Sequence, residues 1–182
     1  MAAVVEQPNE LNLLNDLIAR ARAQGADAAD AVMVDAVSVS YAQRLGATEK
    51  LEREESQDLG LRVLLGPKQA VVSSTDLSAE ALEDLVTRAL AMAKTVPDDP
   101  YCGLAQPDQL ATSFPELDGF DAREPATDAL IERARACEEA ARAVAGVTNS
   151  EGAEASWSRS RIAVAGSNGF AGAYRLTRHG IG

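Results

Sequence analysis

The residues with the most distinctive chemistry lie near the end of the sequence, in a run of alternating apolar and basic positions. They are Trp157, Arg161, Arg175, Arg178 and His179. Guanidinium groups hold carboxylates or lie over aromatic rings, and an indole supplies such a ring. One interpretation of the run is therefore a binding surface for a partner chain or an extended peptide.

The same stretch predicts a β-hairpin around Asn168-Gly169. A two-residue loop at that point mixes apolar and polar positions on both faces. A three-residue loop, 167–169, with Gly169 in the left-handed conformation, sets Ile162 opposite Tyr174. Because a one-residue shift exchanges the faces, the cleaner face decides the register, and we predict the three-residue loop.

In that register Arg161 stands opposite Arg175, with Trp157 near His179 on the same face. Directly opposed like charges destabilise a sheet unless an anion or an aromatic plane covers them. Two interpretations remain open. Either acidic residues elsewhere in the chain neutralise the arginines, for example those of 49–58, or the face contacts a partner.

Catalytic chemistry is not visible in the sequence. A zinc hydrolase needs three protein ligands, and the chain has a single histidine. No Gly-x-Ser-x-Gly elbow is present. The two cysteines, Cys102 and Cys137, do not form a disulfide framework, and Cys137 fits a small buried position. We predict no catalytic residue, no metal and no cofactor in this chain.

Length and charge restrict the class of protein. The 182 residues carry a net charge of −11, and every acidic residue lies at or before Glu154. A strongly acidic chain does not suit a phosphate backbone, so nucleic acid is not an expected partner. No signal peptide and no run of eighteen apolar residues are visible, which predicts a cytoplasmic protein without a membrane span.

The first half of the chain predicts one helix followed by a meander. Asn9 can cap a helix that ends near Gly25. From Asp30 the apolar positions alternate, with a phase break at 35–36 that predicts two strands or one sharply bent strand. The charge-rich residues 47–58 predict a solvated edge strand. Alternating residues and a turn at Gly66-Pro67 complete the meander.

Two further helices flank a long connection. Ser78 begins the clearest helix, which stops at Val96-Pro97. The proline-rich segment 97–125 is either a functional loop or a belt packed over the core by its apolar side chains. The third helix is predicted over 127–145. The fold class is α+β, a mainly antiparallel sheet with about three packed helices, in one domain over 1–182.

Several short motifs resemble one family. They are Ser73-Ser74-Thr75-Asp76-Leu77-Ser78, Asp99-Pro100-Tyr101-Cys102-Gly103-Leu104-Ala105, Thr148-Asn149-Ser150-Glu151-Gly152, Gly166-Ser167-Asn168-Gly169 and Thr177-Arg178-His179. Their order and spacing resemble the N-terminal region of the PmbA/TldE proteins in the TldD/PmbA family, also named modulators of DNA gyrase. The family's later β-rich domain has no counterpart in this sequence, which is expected to contain the N-terminal domain alone.

The resemblance implies a role that composition cannot supply. PmbA/TldE proteins look like non-catalytic paralogues of TldD, and the pair resembles a zinc metallopeptidase that acts on unfolded peptides. Zinc is then expected only in a TldD-like partner, whose His-Glu-x-x-x-His motif is absent here. Expected partners are that chain, a second copy as a homodimer, and a peptide or unfolded polypeptide. The alternative is a stand-alone protein-interaction module unrelated to proteolysis.

Overall fold

The computed structural model describes residues 8–182, which form three α-helices and five strands. The helices are α1 (Pro8–Ala23), α2 (Ala79–Thr95) and α3 (Thr127–Arg142), and the strands are β1 (Ala28–Arg44), β2 (Ala47–Leu65), β3 (Lys68–Ser74), β4 (Ala153–Gly166) and β5 (Ala171–Ile181). The strands form one sheet in the order β3-β2-β1-β4-β5. The predicted α+β class is confirmed.

Local signals in the sequence explain where α1 ends and where α2 begins. After α1, Gly25 has φ +110, and Ala26 N–H donates to the Ala21 carbonyl at 3.0 Å, which is the bond pattern of a Schellman motif. Helix α2 is capped by the Ser78 hydroxyl, which accepts from Ala81 N–H at 3.3 Å. Both signals were predicted. The predicted Asn9 cap is wrong, because α1 begins at Pro8.

Strand β1 is continuous and its buried residues keep one phase, so the predicted phase break and the alternative of two strands are wrong, while the alternative of one bent strand stays a prediction. The buried positions keep one phase on both sides of the half-buried residues 34–36; Ala29, Ala31 and Met33 are buried, and Val32 remains 37% exposed. The sequence pattern favoured the larger valines as the inward set. The structure buries the alanines beside the leucines of α1 and α2, since small side chains let helices approach a sheet closely.

The meander is confirmed in the second and third strands. β2 and β3 pair antiparallel from Leu59 opposite Ser74 to Leu65 opposite Lys68. Gly66, with φ +54, begins the two-residue turn between them. The charged residues at the start of β2 lie in a strand, as predicted, and their side chains are exposed.

The described chain divides into two compact units. The first contains the residues up to Asp35, Gln57–Leu117 and Arg161–Tyr174, and the second contains Ala36–Ser56, Asp118–Ser160 and Arg175–Gly182. Each unit has its own apolar cluster, built around α1 and α2 in the first and around α3 in the second. The prediction of one domain over 1–182 stays a prediction, because the division crosses strands that both units share.

Helix α3 ends at Arg142, three residues before the predicted boundary. Its buried residues are Leu130, Ala134 and Glu138, spaced four apart. Cys137, for which the sequence predicted a buried position, is half-buried, and Val144, inside the predicted range of the helix, is 60% exposed and lies beyond its end. The buried position next to Cys137 is instead occupied by a glutamate, Glu138.

The segment 97–125 contains only a short 3₁₀ turn, Pro107–Gln109, as regular structure. Of its apolar side chains, Leu104, Leu110 and Phe120 are half-buried, whereas Tyr101 is 95% and Leu117 82% exposed. The belt interpretation therefore holds for part of the segment only. Within the described residues, no helix is long and apolar enough to cross a membrane.

Candidate functional site

The predicted hairpin register is confirmed at both ends of the hairpin. At the tip, Gly166 N–H donates to the Phe170 carbonyl at 2.9 Å around the three-residue loop, and Gly169 has φ +91. At the open end, Glu154 and Gly182 exchange backbone bonds of 2.7 and 3.0 Å. Both pairs fit one register, which sets Arg161 opposite Arg175.

Trp157 is a core residue and does not line a surface. Its side chain is 1% exposed and belongs to the same apolar cluster as Tyr41 and Leu130. The reason is alternation along β4, whose positions Ala153, Ala155 and Trp157 are all buried. The indole Nε1 has no hydrogen-bond partner within the described residues.

Arg161 is neutralised inside its own unit. Its Nη2 lies 2.8 Å from Glu10 Oε1 of α1, and the two side chains are 30% and 18% exposed. The interpretation of internal neutralisation is therefore confirmed for this arginine. The acid that does it belongs to the first helix, not to the expected strand 49–58.

Arg175 is covered by an aromatic ring instead of an acid. Its guanidinium carbon lies 4.1 Å from the centroid of Phe120, in the segment that leads to α3. This is the second of the two ways in which an opposed arginine can be accommodated in a sheet. Arg175 is half-buried by the contact.

Arg178 and His179 are the two predicted residues that remain exposed. His179 Nδ1 lies 3.3 Å from Arg133 Nη1 of α3. No ion pair or hydrogen bond of the Arg178 side chain occurs within residues 8–182. Of the five predicted binding residues, these two are exposed, and the imidazole of His179 already contacts Arg133.

The outer edge of β5 is partly covered in the same region. Thr177 N–H donates to the Gly119 carbonyl at 2.9 Å, and Thr177 Oγ1 accepts from Asp121 N–H at 3.1 Å. Since Gly182 bonds to β4, alternate residues including Thr177, His179 and Ile181 direct their backbone groups outwards. The open part of this edge is therefore the end that holds His179 and Ile181.

Sequence reasoning missed the most unusual polar group, the carboxylate of Glu138. The side chain is 2% exposed. It accepts from Leu45 N–H at 2.6 Å, from Gly46 N–H at 3.0 Å and from Gln43 Nε2 at 2.8 Å. Leu45 and Gly46 both have positive φ, at 52 and 80, and form the turn between β1 and β2.

The electrostatics of Glu138 follow from these contacts. Burial by itself would raise the pKa of the carboxyl group, but the bonds from Leu45, Gln43 and Gly46 outweigh it and lower the pKa to about 2. The ionised carboxylate therefore fastens the β1–β2 turn to α3. The signal in the sequence was the four-residue spacing of Leu130, Ala134 and Glu138.

The edge of β2 is open over the first half of the strand. β3 pairs only with Leu59–Leu65, so within the described chain residues 47–58 have a strand neighbour on one side alone. Charged side chains pair along the strand, with Lys50 Nζ 2.8 Å from Glu52 Oε2 and Arg53 Nε 2.9 Å from Glu55 Oε1. The predicted charged edge strand is confirmed.

A cleft of about 320 Å³ lies in the first unit, beside the half-buried Leu104 and Leu110. Its charged lining is the pair Arg62 and Asp30, joined by bonds of 2.9 and 2.5 Å. Gln69 accepts a third bond from the same guanidinium at 3.3 Å. Asp30 and Gln69 already bind the Arg62 guanidinium, so the two charged groups that line the cleft are paired with each other and not available to a ligand.

The described residues do not fit a zinc site. No group of three or more His, Cys, Asp or Glu side chains lies close enough together within residues 8–182 to hold a metal ion. The lone histidine contacts an arginine, and both cysteines are free thiols.

Comparison with known proteins places the fold in a family. Two family models match in order: PmbA/TldA metallopeptidase domain 1 over residues 29–93 and the PmbA/TldA metallopeptidase central domain over residues 120–182. Metalloprotease PmbA of Escherichia coli O157:H7 is 32% identical over 156 residues, and a PmbA homolog of Haemophilus influenzae is 33% identical over 159 residues. The matches cover 85% and 86% of this chain but 35% of either relative.

Solved structures show the same fold. A Bacteroides thetaiotaomicron protein named as a modulator of DNA gyrase superposes with a TM-score of 0.81 at 20% identity, over 97% of this chain and 40% of that one. TldE from Thermococcus kodakarensis superposes with a TM-score of 0.72 at 15% identity, over 91% and 37% of the two chains. The chain spans about a third of the length of the curated relatives it matches.

Proposed function

Because the chain belongs to the PmbA/TldD metallopeptidase family, we propose that it is a non-catalytic part of a TldD/TldE-type zinc peptidase system that processes unfolded peptides in the cytoplasm. The observation that carries the proposal is the single histidine in 182 residues. One imidazole cannot supply the usual ligand set of a catalytic zinc. The zinc and the hydrolytic chemistry then belong to a TldD-like partner chain.

The contribution of this chain is a contact surface at the open end of β5. Arg178 and His179 are exposed there, and Ile181 is 58% exposed on the same strand. Outward backbone groups at His179 and Ile181 suit the addition of an extended segment, and the Arg178 guanidinium suits a carboxylate. The segment that binds is either a strand of the partner chain or an extended peptide substrate.

Co-purification tests the assembly. The chain is expressed with a TldD-like chain that carries the His-Glu-x-x-x-His motif, and the complex is isolated and analysed for zinc and for hydrolysis of an unfolded peptide. We expect a complex that holds zinc and cleaves the peptide, while this chain alone does neither. One tightly held zinc in the chain alone, or peptide cleavage by it, contradicts the proposal. Failure to form the complex favours a stand-alone interaction module.

A surface variant tests the contact residues. Arg178→Glu reverses an exposed charge with no side-chain partner within the described residues, so its melting temperature should stay unchanged while binding to the TldD-like chain or peptide weakens. Arg22→Glu, at an exposed position in the last turn of α1, is the matched control and should bind normally. Equal loss of binding in both variants indicates a general charge effect and no specific contact.

A further inference from the structure

The open edge of β2 has a self-complementary sequence. The five residues Glu49-Lys50-Leu51-Glu52-Arg53 carry charges that reverse about their centre. In an antiparallel pair of two such strands centred on Leu51, each Glu49 faces Arg53 of the second strand, and each Lys50 faces Glu52. The two copies of Leu51 face one another. Opposite-charge and apolar pairs at directly opposed positions stabilise an antiparallel sheet.

The structure leaves this segment available. Residues 47–55 are exposed on both faces of the strand, and Leu51 is 55% exposed among charged neighbours. Within residues 8–182, no strand lies on the outer side of this part of β2. An edge with unpaired backbone groups is a template for another strand unless it is protected. Charged side chains protect this edge against strands that do not match them, so only a strand with the complementary order of charges should pair with it.

We propose that two copies of this chain associate through an antiparallel pairing of their β2 edges, with Leu51 on the two-fold axis. The contact is isologous, since the same segment contributes both sides and the assembly closes at two copies. Backbone hydrogen bonds between the two β2 strands continue the sheet from one copy into the other. This inference concerns a second copy and does not depend on the proposed peptidase partner.

The charges select one register. A shift by one residue places Glu49 opposite Glu52 in one direction and Lys50 opposite Arg53 in the other. A shift by two residues sets Lys50 or Glu52 opposite its own copy. Each of these alternatives opposes like charges, which destabilise a sheet. Among registers shifted by up to two residues, only the one centred on Leu51 avoids every such pair, and it is the one that pairs all five residues.

Pairing leaves no charge of the five residues unmatched. In the isolated chain Lys50 is already paired with Glu52 of the same strand at 2.8 Å, and Arg53 with Glu55 and Glu124. In the dimer Lys50 also meets Glu52 of the second copy, and Arg53 meets Glu49. The contact is short and rimmed by solvent, so it should be weak, concentration-dependent and sensitive to salt.

Sedimentation equilibrium of the full chain over a concentration series tests the pairing. Lys50→Glu and Glu52→Lys each create two like-charge pairs per dimer and should weaken dimerisation by about tenfold or more. The double variant Lys50→Glu/Glu52→Lys restores opposite charges and should recover the dimer. Asp84→Lys changes an exposed charge on α2 and serves as the control. Circular dichroism confirms that each variant is folded.

The oligomeric state of the parent chain and of the variants decides the proposal. Loss in both single variants with recovery in the double variant supports the proposal. A monomeric parent chain overturns it, as does a dimer that the single variants leave unchanged, because the contact then lies elsewhere. Loss without recovery in the double variant also overturns it, because the two residues then do not face one another.

Crosslinking fixes the register by a second route. In a chain with Cys102 and Cys137 replaced by Ser, Leu51→Cys places two thiols opposite each other across the axis, within the reach of a disulfide. Oxidation should convert this variant to a covalent dimer. Lys50→Cys, one residue away, places its thiol opposite Glu52 and should crosslink far less. Equal crosslinking by both variants contradicts the pairing centred on Leu51.

Discussion

The two compact units bury different kinds of side chain. The first buries twenty-one hydrophobic residues in one cluster formed by α1, α2 and the strands beside them. The second buries seven hydrophobic residues in its cluster and, in addition, the side chains of Gln43 and Glu138. All buried polar or charged residues within the described chain belong to the second unit.

The difference shows what holds each unit in one conformation. Apolar burial in the first unit is non-directional and depends on packing alone. In the second unit a carboxylate bound by two backbone N–H groups fixes a turn against a helix, and a guanidinium lies over an aromatic ring. Such contacts depend on geometry and charge. Because of the buried carboxylate of Glu138, the second unit should therefore lose more stability than the first as the pH falls.

The largest expected effect is the loss of a core leucine in either unit. Leu61 and Leu130 are both 0% exposed, in the first and second clusters respectively. Replacement of either by Ala leaves a cavity and should lower the free energy of unfolding by about 2–5 kcal/mol. Denaturant unfolding measures the loss.

Hydrogen exchange on the same variants shows which of the two units each leucine stabilises. Leu130→Ala should speed exchange in residues 36–56 and 118–160 more than elsewhere. The cluster of this unit contains seven buried hydrophobic residues, so the loss of one large side chain removes a large part of its packing. Leu61→Ala should instead act on the first unit. If both variants accelerate exchange uniformly along the chain, the two units unfold together. The different composition of their cores then gives them no difference in local stability.

A smaller effect, and the one that separates the units by mechanism, is the pH response of Glu138. Its pKa in the folded chain is about 2, below the ordinary value near 4.5 for an unfolded glutamate. The ionised form is thus favoured by folding. Its stabilising contribution is complete above the unfolded pKa and is lost as the pH falls from about 4.5 towards 2.

The variant Glu138→Gln removes that titration while keeping a similar shape. It should melt at a lower temperature than the parent at pH 7, and the gap between the two should narrow as the pH falls to about 2. Glu139→Gln is the matched control, since the Glu139 carboxylate is exposed and, within the described residues, pairs with Arg135 alone. A gap that stays constant with pH indicates that the Glu138 charge does not stabilise the turn.

Much of the fold was predictable because local signals and burial agreed. The apolar stripe of α2, its Ser78 cap and the hairpin loop at 167–169 each follow from a pattern within a few residues. The phase of β1 was not predictable in the same way. Alternating Val32 and Ala31 both fit a strand, and the choice between them depends on helices distant in sequence.

The candidate site was predictable only in part, for the same reason. The pairing of Arg161 with Arg175 follows from hairpin geometry, but their neutralisation by Glu10 and Phe120 depends on long-range contacts. Trp157 was assigned to the surface because alternation does not say which face a helix covers. Glu138 was missed because a charged residue on a helix is exposed far more often than buried.

The smallest expected effect concerns Arg175, whose contact with Phe120 is the second unit's counterpart to the Arg161–Glu10 pair of the first. A cation over an aromatic ring at a half-buried site contributes about 0.5–1 kcal/mol. Arg175→Ala should therefore reduce stability by about 1 kcal/mol or less, as measured by denaturant unfolding. Arg175→Met keeps most of the aliphatic contact and removes the charge, so the difference between the two variants separates packing from charge.

A double-mutant cycle with Phe120→Leu decides whether the contact is internal or kept free for a partner. If the ring holds the guanidinium, the effects of Arg175→Met and Phe120→Leu are not additive, because either change removes the same interaction. Binding to a TldD-like chain should then be unaffected by Arg175→Met and reduced by Arg178→Glu. If the losses in unfolding free energy of the two single variants add up and Arg175→Met also weakens binding, the contact does not hold the guanidinium. Arg175 then contacts the partner, and the Phe120 ring does not stabilise the second unit through it.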